Sequence, residues 1–127
     1  MYLIDAYAWV EYFRGTQKGR KAAKLIDDPK LELMTLESTV AELNGWALRE
    51  SKPFDDLYLV VRRNSKIVHT SLEEWLRAAE LRIEVRRKVE GFGMLDALLL
   101  AAKEKRECKI ITGDPHFKKM AGVIFLE

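Results

Sequence analysis

The chain has 127 residues, 48% of them hydrophobic and 33% charged, the composition of one globular domain (residues 1–127) able to bury a core. A net charge of only +2 excludes strong whole-molecule attraction to nucleic acid, and the single cysteine, Cys108, excludes an internal disulfide. No apolar run approaches the ~20 residues that span a bilayer. The opening MYLIDAYAWVEYF carries Asp5 and Glu11 and no basic leader, which argues against a signal peptide. A soluble, cytoplasmic protein with no membrane association is expected.

Tyr2 to Ile4 is a short apolar run ending at Asp5, the pattern of a buried strand. Residues 6–14 then carry Trp9, Tyr12 and Phe13 at helical spacing, and residues 16–27 form a basic helix that stops at Asp27-Asp28-Pro29. Leu31, Leu33 and Thr35 alternate with Glu32 and Met34, as in a strand. Val40, Leu43 and Ala47 make a helical stripe over Thr39–Glu50, with Thr39 and Glu42 at capping-box spacing. Phe54, Leu57, Tyr58 and Val61 mark a further amphipathic helix.

Lys66 to His69 reads as a short strand. Ser71-Leu72-Glu73-Glu74 is a capping box that opens a long helix with Leu72, Leu76, Ala79 and Ile83 on one face. Gly91-Phe92-Gly93 breaks it, MLDALLLAAKEKR begins another helix, and Ile110–Thr112 and Val123–Leu126 read as strands. Strands alternating with helices imply an α/β fold, with right-handed crossovers and a mostly parallel sheet. The long helical stretch between His69 and Lys109 exceeds one crossover and points to an extra helical layer.

Four acids stand at places where a helix begins. Asp5 suits an N-cap, Glu42 a capping box and Asp96 the first turn of its helix; Asp114 stands before Pro115 at a short helix start. Each position has a purely local explanation. Yet Asp5 and Asp114 lie just past the carboxyl ends of strands, Glu42 lies one turn inside the following helix, and Asp96 reaches the same edge if the Gly91-Phe92-Gly93 turn is brought there. Ligands of open α/β sheets bind at that edge. Two carboxylates ~5 Å apart repel by ~3 kcal/mol at an effective dielectric near 20, so four converging acids must hold protons or a cation. Oxygen ligands suit Mg²⁺ or Mn²⁺; the two histidines, His69 and His116, do not form a zinc spacing.

LIDAYAWVEYF with Asp5, STVAELNGW with Glu42, MLDALLLAA with Asp96 and IITGDPHF with Asp114 resemble, in order and separation, the four acidic blocks of PIN-domain nucleases, and in length the single-domain VapC-type toxins. The resemblance implies a parallel five-stranded sheet with helices on both faces, and Mg²⁺- or Mn²⁺-dependent hydrolysis of RNA. It makes Asp5, Glu42, Asp96 and Asp114 the metal-site acids and Thr112 a hydroxyl that orients Asp114. It also implies a homodimer and silencing by a small antitoxin protein. Two positions depart from the pattern. Ala6 and Tyr7 stand where a hydroxyl residue often follows the first Asp, and His116 stands where many members carry a further acid. His116 is therefore read here as a surface or loop residue rather than a ligand.

With water as the nucleophile, such an enzyme needs no RNA 2′-hydroxyl and no histidine pair. Arg14, Lys18, Arg20, Lys21, Lys24, Arg86, Arg87 and Lys88 are candidate phosphate contacts, and Tyr7, Trp9 and Tyr12 candidate stacking surfaces. Trp9, Tyr12, Phe13, Trp46, Phe54, Tyr58 and Trp75 exceed the needs of a small core and are candidate dimer contacts. The alternative is a non-catalytic RNA- or protein-binding module of the same fold. A phosphotransfer receiver would need paired acids at the first strand end. A dehalogenase-like phosphatase would need Asp-x-Asp, and a dinucleotide fold G-x-G-x-x-G; all three are absent.

Overall fold

A computed structural model describes residues 1–127. It pairs five strands in one sheet: β1 (Tyr2–Ile4), β2 (Leu33–Leu36), β3 (Lys66–Val68), β4 (Lys109–Thr112) and β5 (Val123–Phe125). Their order is β3-β2-β1-β4-β5, and every pairing is parallel. The chain builds outward from β1 to β2 and β3 on one side, then returns to place β4 and β5 on the other. The β1/β4 junction is thus the point where the order reverses.

Successive strand residues point to opposite faces, so both faces need cover. Ile4, Leu33 and Ile111 pack against α1 (Ala6–Arg14), α2 (Gln17–Ile26), α3 (Glu37–Arg49) and α4 (Phe54–Asn64) through Ala8, Trp9, Ala22, Ile26, Leu43 and Val61. Leu3, Met34, Leu36 and Ile110 pack against α5 (Leu72–Arg86) and α6 (Met94–Arg106) through Ala78, Leu81, Leu98, Ala101 and Ala102. The surplus helix read in the sequence between His69 and Lys109 is this α5–α6 pair, which forms the layer on that face.

Several local readings change. β2 starts at Leu33, two residues later than the alternation suggested. Thr39 does not cap α3: the helix begins at Glu37, Leu36 stands at the N-cap with no side-chain bond, and Thr39 is wholly buried within the first turn. The strand runs straight into the helix, which leaves no room for a separate capping residue. On α5 the face bearing Leu72, Leu76 and Ile83 points to solvent, while Glu74, Ala78 and Leu81 point inward. Glu74 tolerates burial because Arg106 Nη1 lies 2.5 Å from its carboxylate and Ser71 N–H donates to it at 3.1 Å. The Ser71 capping box is present as read.

The aromatic surplus is mostly used inside. Trp9 is fully buried, donates Nε1–H to Thr35 Oγ1 at 3.1 Å, and stacks on Phe13 at 5.7 Å. Phe54 stacks on Tyr58 at 5.6 Å, and Tyr12, Phe13, Trp46, Phe54 and Tyr58 are half-buried; of the seven, Trp75 is the exposed one.

Candidate metal centre

Ile4 of β1 pairs with Ile111 of β4, and the Asp5 N–H continues the ladder to Ile111 O at 3.3 Å. This register sets Asp5 beside Thr112. Asp5 caps α1, its Oδ1 accepting Ala8 N–H at 2.9 Å, while Oδ2 accepts the Thr112 hydroxyl. Each Asp5 oxygen therefore has a donor, although Ala6 and Tyr7 offer no neighbouring short hydroxyl. The Thr112 hydroxyl also accepts Asp114 N–H at 2.9 Å, so Thr112 orients both acids, where the sequence reading assigned it Asp114 alone.

Asp114 caps the short 3-10 turn Pro115–Phe117, accepting His116 N–H at 2.9 Å. Asp96, in the first turn of α6, accepts Gly93 N–H at 3.0 Å through Oδ2. The local capping readings of Asp5, Asp96 and Asp114 all hold; Asp96 and Asp114 come together directly, while Asp5 is joined to Asp114 through Thr112 and, like Glu42, stands outside their close group. Donor atoms of Asp96, Asp114 and His116 lie within 4.8 Å of one another. His116 Nδ1 is 2.9 Å from Asp96 Oδ2 and 3.8 Å from Asp114 Oδ1, which places the imidazole inside the cluster rather than on a free loop.

The acids sense one another. Burial pushes the Asp5 carboxyl up to about 7, with Asp114 and Glu42 adding to the rise against the Thr112 and Ala8 hydrogen bonds. Glu42 is likewise pushed up to about 7, first by loss of solvent around its carboxyl and then by Asp96 and Asp114. Glu42 presents surface at the exposed rim, so solvent screens it more than the buried Asp5 and its rise is the softer of the two. Repulsion thus links acids from four separate segments, and a cation at their centre would relieve it. Carboxylate oxygens with one imidazole nitrogen form a donor set that fits a small divalent ion.

A cavity of about 400 Å³ opens beside these acids, lined by Glu42 and Asp114 together with Tyr7, Trp46, Arg14 and Arg49. Gly113 allows the Tyr7 ring to lie against the strand end, since a Cβ there would fall 2.6 Å from a Tyr7 ring carbon. Lys18 Nζ donates to the Tyr7 hydroxyl at 3.1 Å. Arg49 escaped the sequence reading and Trp46 was placed in a dimer contact. Their spacing from Glu42, four and seven positions along α3, was the available signal, because those positions follow one helix face.

The model of the PIN domain family matches residues 2–123. No curated protein sequence gives a match. Among solved structures, a toxin–antitoxin complex from Klebsiella pneumoniae aligns at 19% identity and TM-score 0.78, covering 100% of this chain and 98% of that one. VapC20 of Mycobacterium tuberculosis, a sarcin–ricin loop cleaving toxin, aligns at 17% identity and TM-score 0.77, with 97% of each chain covered. A chain of the DNA-bound VapBC complex of Salmonella typhimurium aligns at 16% identity and TM-score 0.68, covering 98% of this chain and 95% of that one. These chains are similar in fold across their whole length, and the expected α/β architecture is theirs. With the family model spanning nearly all of its sequence, this chain belongs to the PIN-domain family.

Proposed function

We propose that this protein is a metal-dependent endoribonuclease, the toxin of a toxin–antitoxin pair. The observation that carries the reading is the acid cluster itself: donor atoms of Asp96, Asp114 and His116 lie within 4.8 Å of one another, and burial, with added repulsion from neighbouring acids, leaves Asp5 and Glu42 with carboxyls near 7. A divalent ion, Mg²⁺ or Mn²⁺, held by these acids would neutralise the scissile phosphate and lower the pKa of an attacking water. Glu42, at the rim with its carboxyl near neutrality, holds or accepts the proton of that water. Thr112 fixes the orientation of Asp5 and Asp114.

RNA enters by the 400 Å³ cavity. Arg14 and Arg49 hold backbone phosphates there, and Tyr7 and Trp46 offer ring faces to a base. The similarity to a toxin that cleaves the sarcin–ricin loop supports an RNA substrate. The similarity to toxin–antitoxin complexes supports a small antitoxin partner, whose helix would cover an apolar groove and direct a cation at the acids. The outward apolar face of α5 supports a homodimer.

The test is cleavage of mixed RNA with Mg²⁺ or Mn²⁺ by the wild type, Asp5→Asn and Asp96→Asn. Cleavage by the wild type alone is expected. Equal cleavage by all three proteins sinks the reading, and RNA binding without cleavage by the wild type favours the non-catalytic module.

A further inference from the structure

His116 is held as tightly as the acids around it. Its backbone N–H is fixed by the Asp114 carboxylate at 2.9 Å, and its ring lies against Phe92 with centroids 6.2 Å apart. The opposite edge of the ring faces Gly91, where φ is +78° and a Cβ would come 3.5 Å from Nε2. Gly91 is suited to that turn both because φ is positive and because the imidazole edge occupies the space beside it. With Nε2 turned toward Gly91, Nδ1 is the nitrogen near the carboxylates, 2.9 Å from Asp96 Oδ2 and 3.8 Å from Asp114 Oδ1. A third of the side chain is exposed, so an ion from solvent can reach it.

We propose that His116 is a nitrogen ligand of the divalent ion, together with Asp96 and Asp114, and that it biases the site toward Mn²⁺ over Mg²⁺. This rests on the metal-dependent reading above. Oxygen-only sites suit Mg²⁺, which gives up its waters reluctantly and demands near-ideal octahedral geometry. Imidazole suits first-row transition ions. The tautomer with its proton on Nε2, which a bound ion would select over the one donating Nδ1–H to Asp96, would present the Nδ1 lone pair to the space between the two carboxylates. The 4.8 Å spread of the three donors is only a little wider than the ~4.2 Å between opposite ligands of one ion at about 2.1 Å, so a small side-chain rotation brings them onto a common centre. A histidine that merely held Asp96 in place would use the same 2.9 Å contact but would never touch the ion.

Pulsed electron paramagnetic resonance of the full chain with one equivalent of Mn²⁺ separates the two roles. Nitrogen modulation on the Mn²⁺ signal is expected in the wild type and in His69→Ala, the control for the other histidine. It is expected to vanish in His116→Ala and His116→Asp. Calorimetric titration gives the second readout: in His116→Asp the Mn²⁺-to-Mg²⁺ affinity ratio should fall by ~tenfold or more while Mg²⁺ binding is retained. Mn²⁺ bound by the wild type without nitrogen modulation overturns the proposal and leaves the metal-dependent reading standing. Failure of the wild type to bind either ion overturns both. Circular dichroism melts of each variant confirm that a lost signal is not a lost fold.

Discussion

Thr112 joins Asp5 to Asp114: its hydroxyl donates to the Asp5 carboxylate and accepts the Asp114 amide at 2.9 Å. Asp5 and Thr112 are both buried, so water cannot replace the bond between them. Thr112→Val keeps the shape and removes the hydroxyl, leaving a buried carboxylate oxygen and an amide unpaired. The expected cost is about 1–3 kcal/mol in urea unfolding, with a loss of RNA cleavage. Thr112→Ser, which restores the hydroxyl, should recover most of both.

The raised carboxyls make a pH prediction. Asp5 and Glu42 stand near 7 in the folded chain, above their ordinary values near 4. Protonated carboxyls are therefore favoured by folding. Their contribution to stability is fully present below about pH 4 and is lost as pH rises through about 7. In chelator, the melting temperature should fall between pH 5 and pH 8 as far as these two groups decide it. Asp5→Asn should flatten the slope and raise the melting temperature at pH 8. Excess divalent cation, which favours the ionised carboxylates, should remove most of the slope in the wild type. A wild-type slope that is unchanged in Asp5→Asn would show that other groups set it.

Gly113 and Tyr7 are expected to be energetically coupled. A Cβ at 113 would meet the Tyr7 ring at 2.6 Å and the Leu126 carbonyl at 3.3 Å. Gly113→Ala should cost about 1–3 kcal/mol through overpacking. Combining it with Tyr7→Ala should recover part of that cost, giving a non-zero interaction energy in a double-mutant cycle. Additive losses would place the strain elsewhere, at the Leu126 carbonyl.

The outward face of α5 carries Leu72, Leu76 and Ile83 at 72%, 60% and 64% exposure, with Ala79 between them. Their 4-3-4 spacing is that of a helix–helix seam. Leu76→Glu with Ile83→Glu should leave the unfolding free energy of the monomer nearly unchanged, since neither side chain is in the core. It should convert the proposed dimer to a monomer in sedimentation velocity. A double variant that still sediments as a dimer would move the proposed contact off this helix, and a monomeric wild type would end the dimer proposal.

Element types were largely legible because burial imposes its period directly on the chain. Apolar pairs such as Ile110-Ile111 mark a strand covered on both faces, and Phe54, Leu57, Tyr58 and Val61 mark a helix covered on one. Thr39 was misread because a capping box in sequence cannot report where the preceding strand ends. The face of α5 was misread because periodicity defines two faces without saying which lies inside. Here the decision went to Glu74, buried by an arginine 32 residues away. The contact between His116 and Asp96 was hidden for a similar reason: the two are 20 residues apart, on separate helices.

The sequence by itself determined the local roles of the acids. Asp5 to Ala8, Asp96 to Gly93 and Asp114 to His116 are contacts of two or three residues, set by helix-start chemistry wherever the helices lie. Only the tertiary structure decided that they are neighbours, Asp5 sharing Thr112 with Asp114 and Asp96 sharing His116 with Asp114. That follows from the parallel pairing of β1 with β4, which sets Asp5 against Thr112 across 107 residues, and from the turn at Gly91-Phe92-Gly93 that brings α6 to the same edge. Local sequence fixes which way a side chain leaves its own backbone. Strand partnership, chosen by burial of the whole sheet, fixes what it meets.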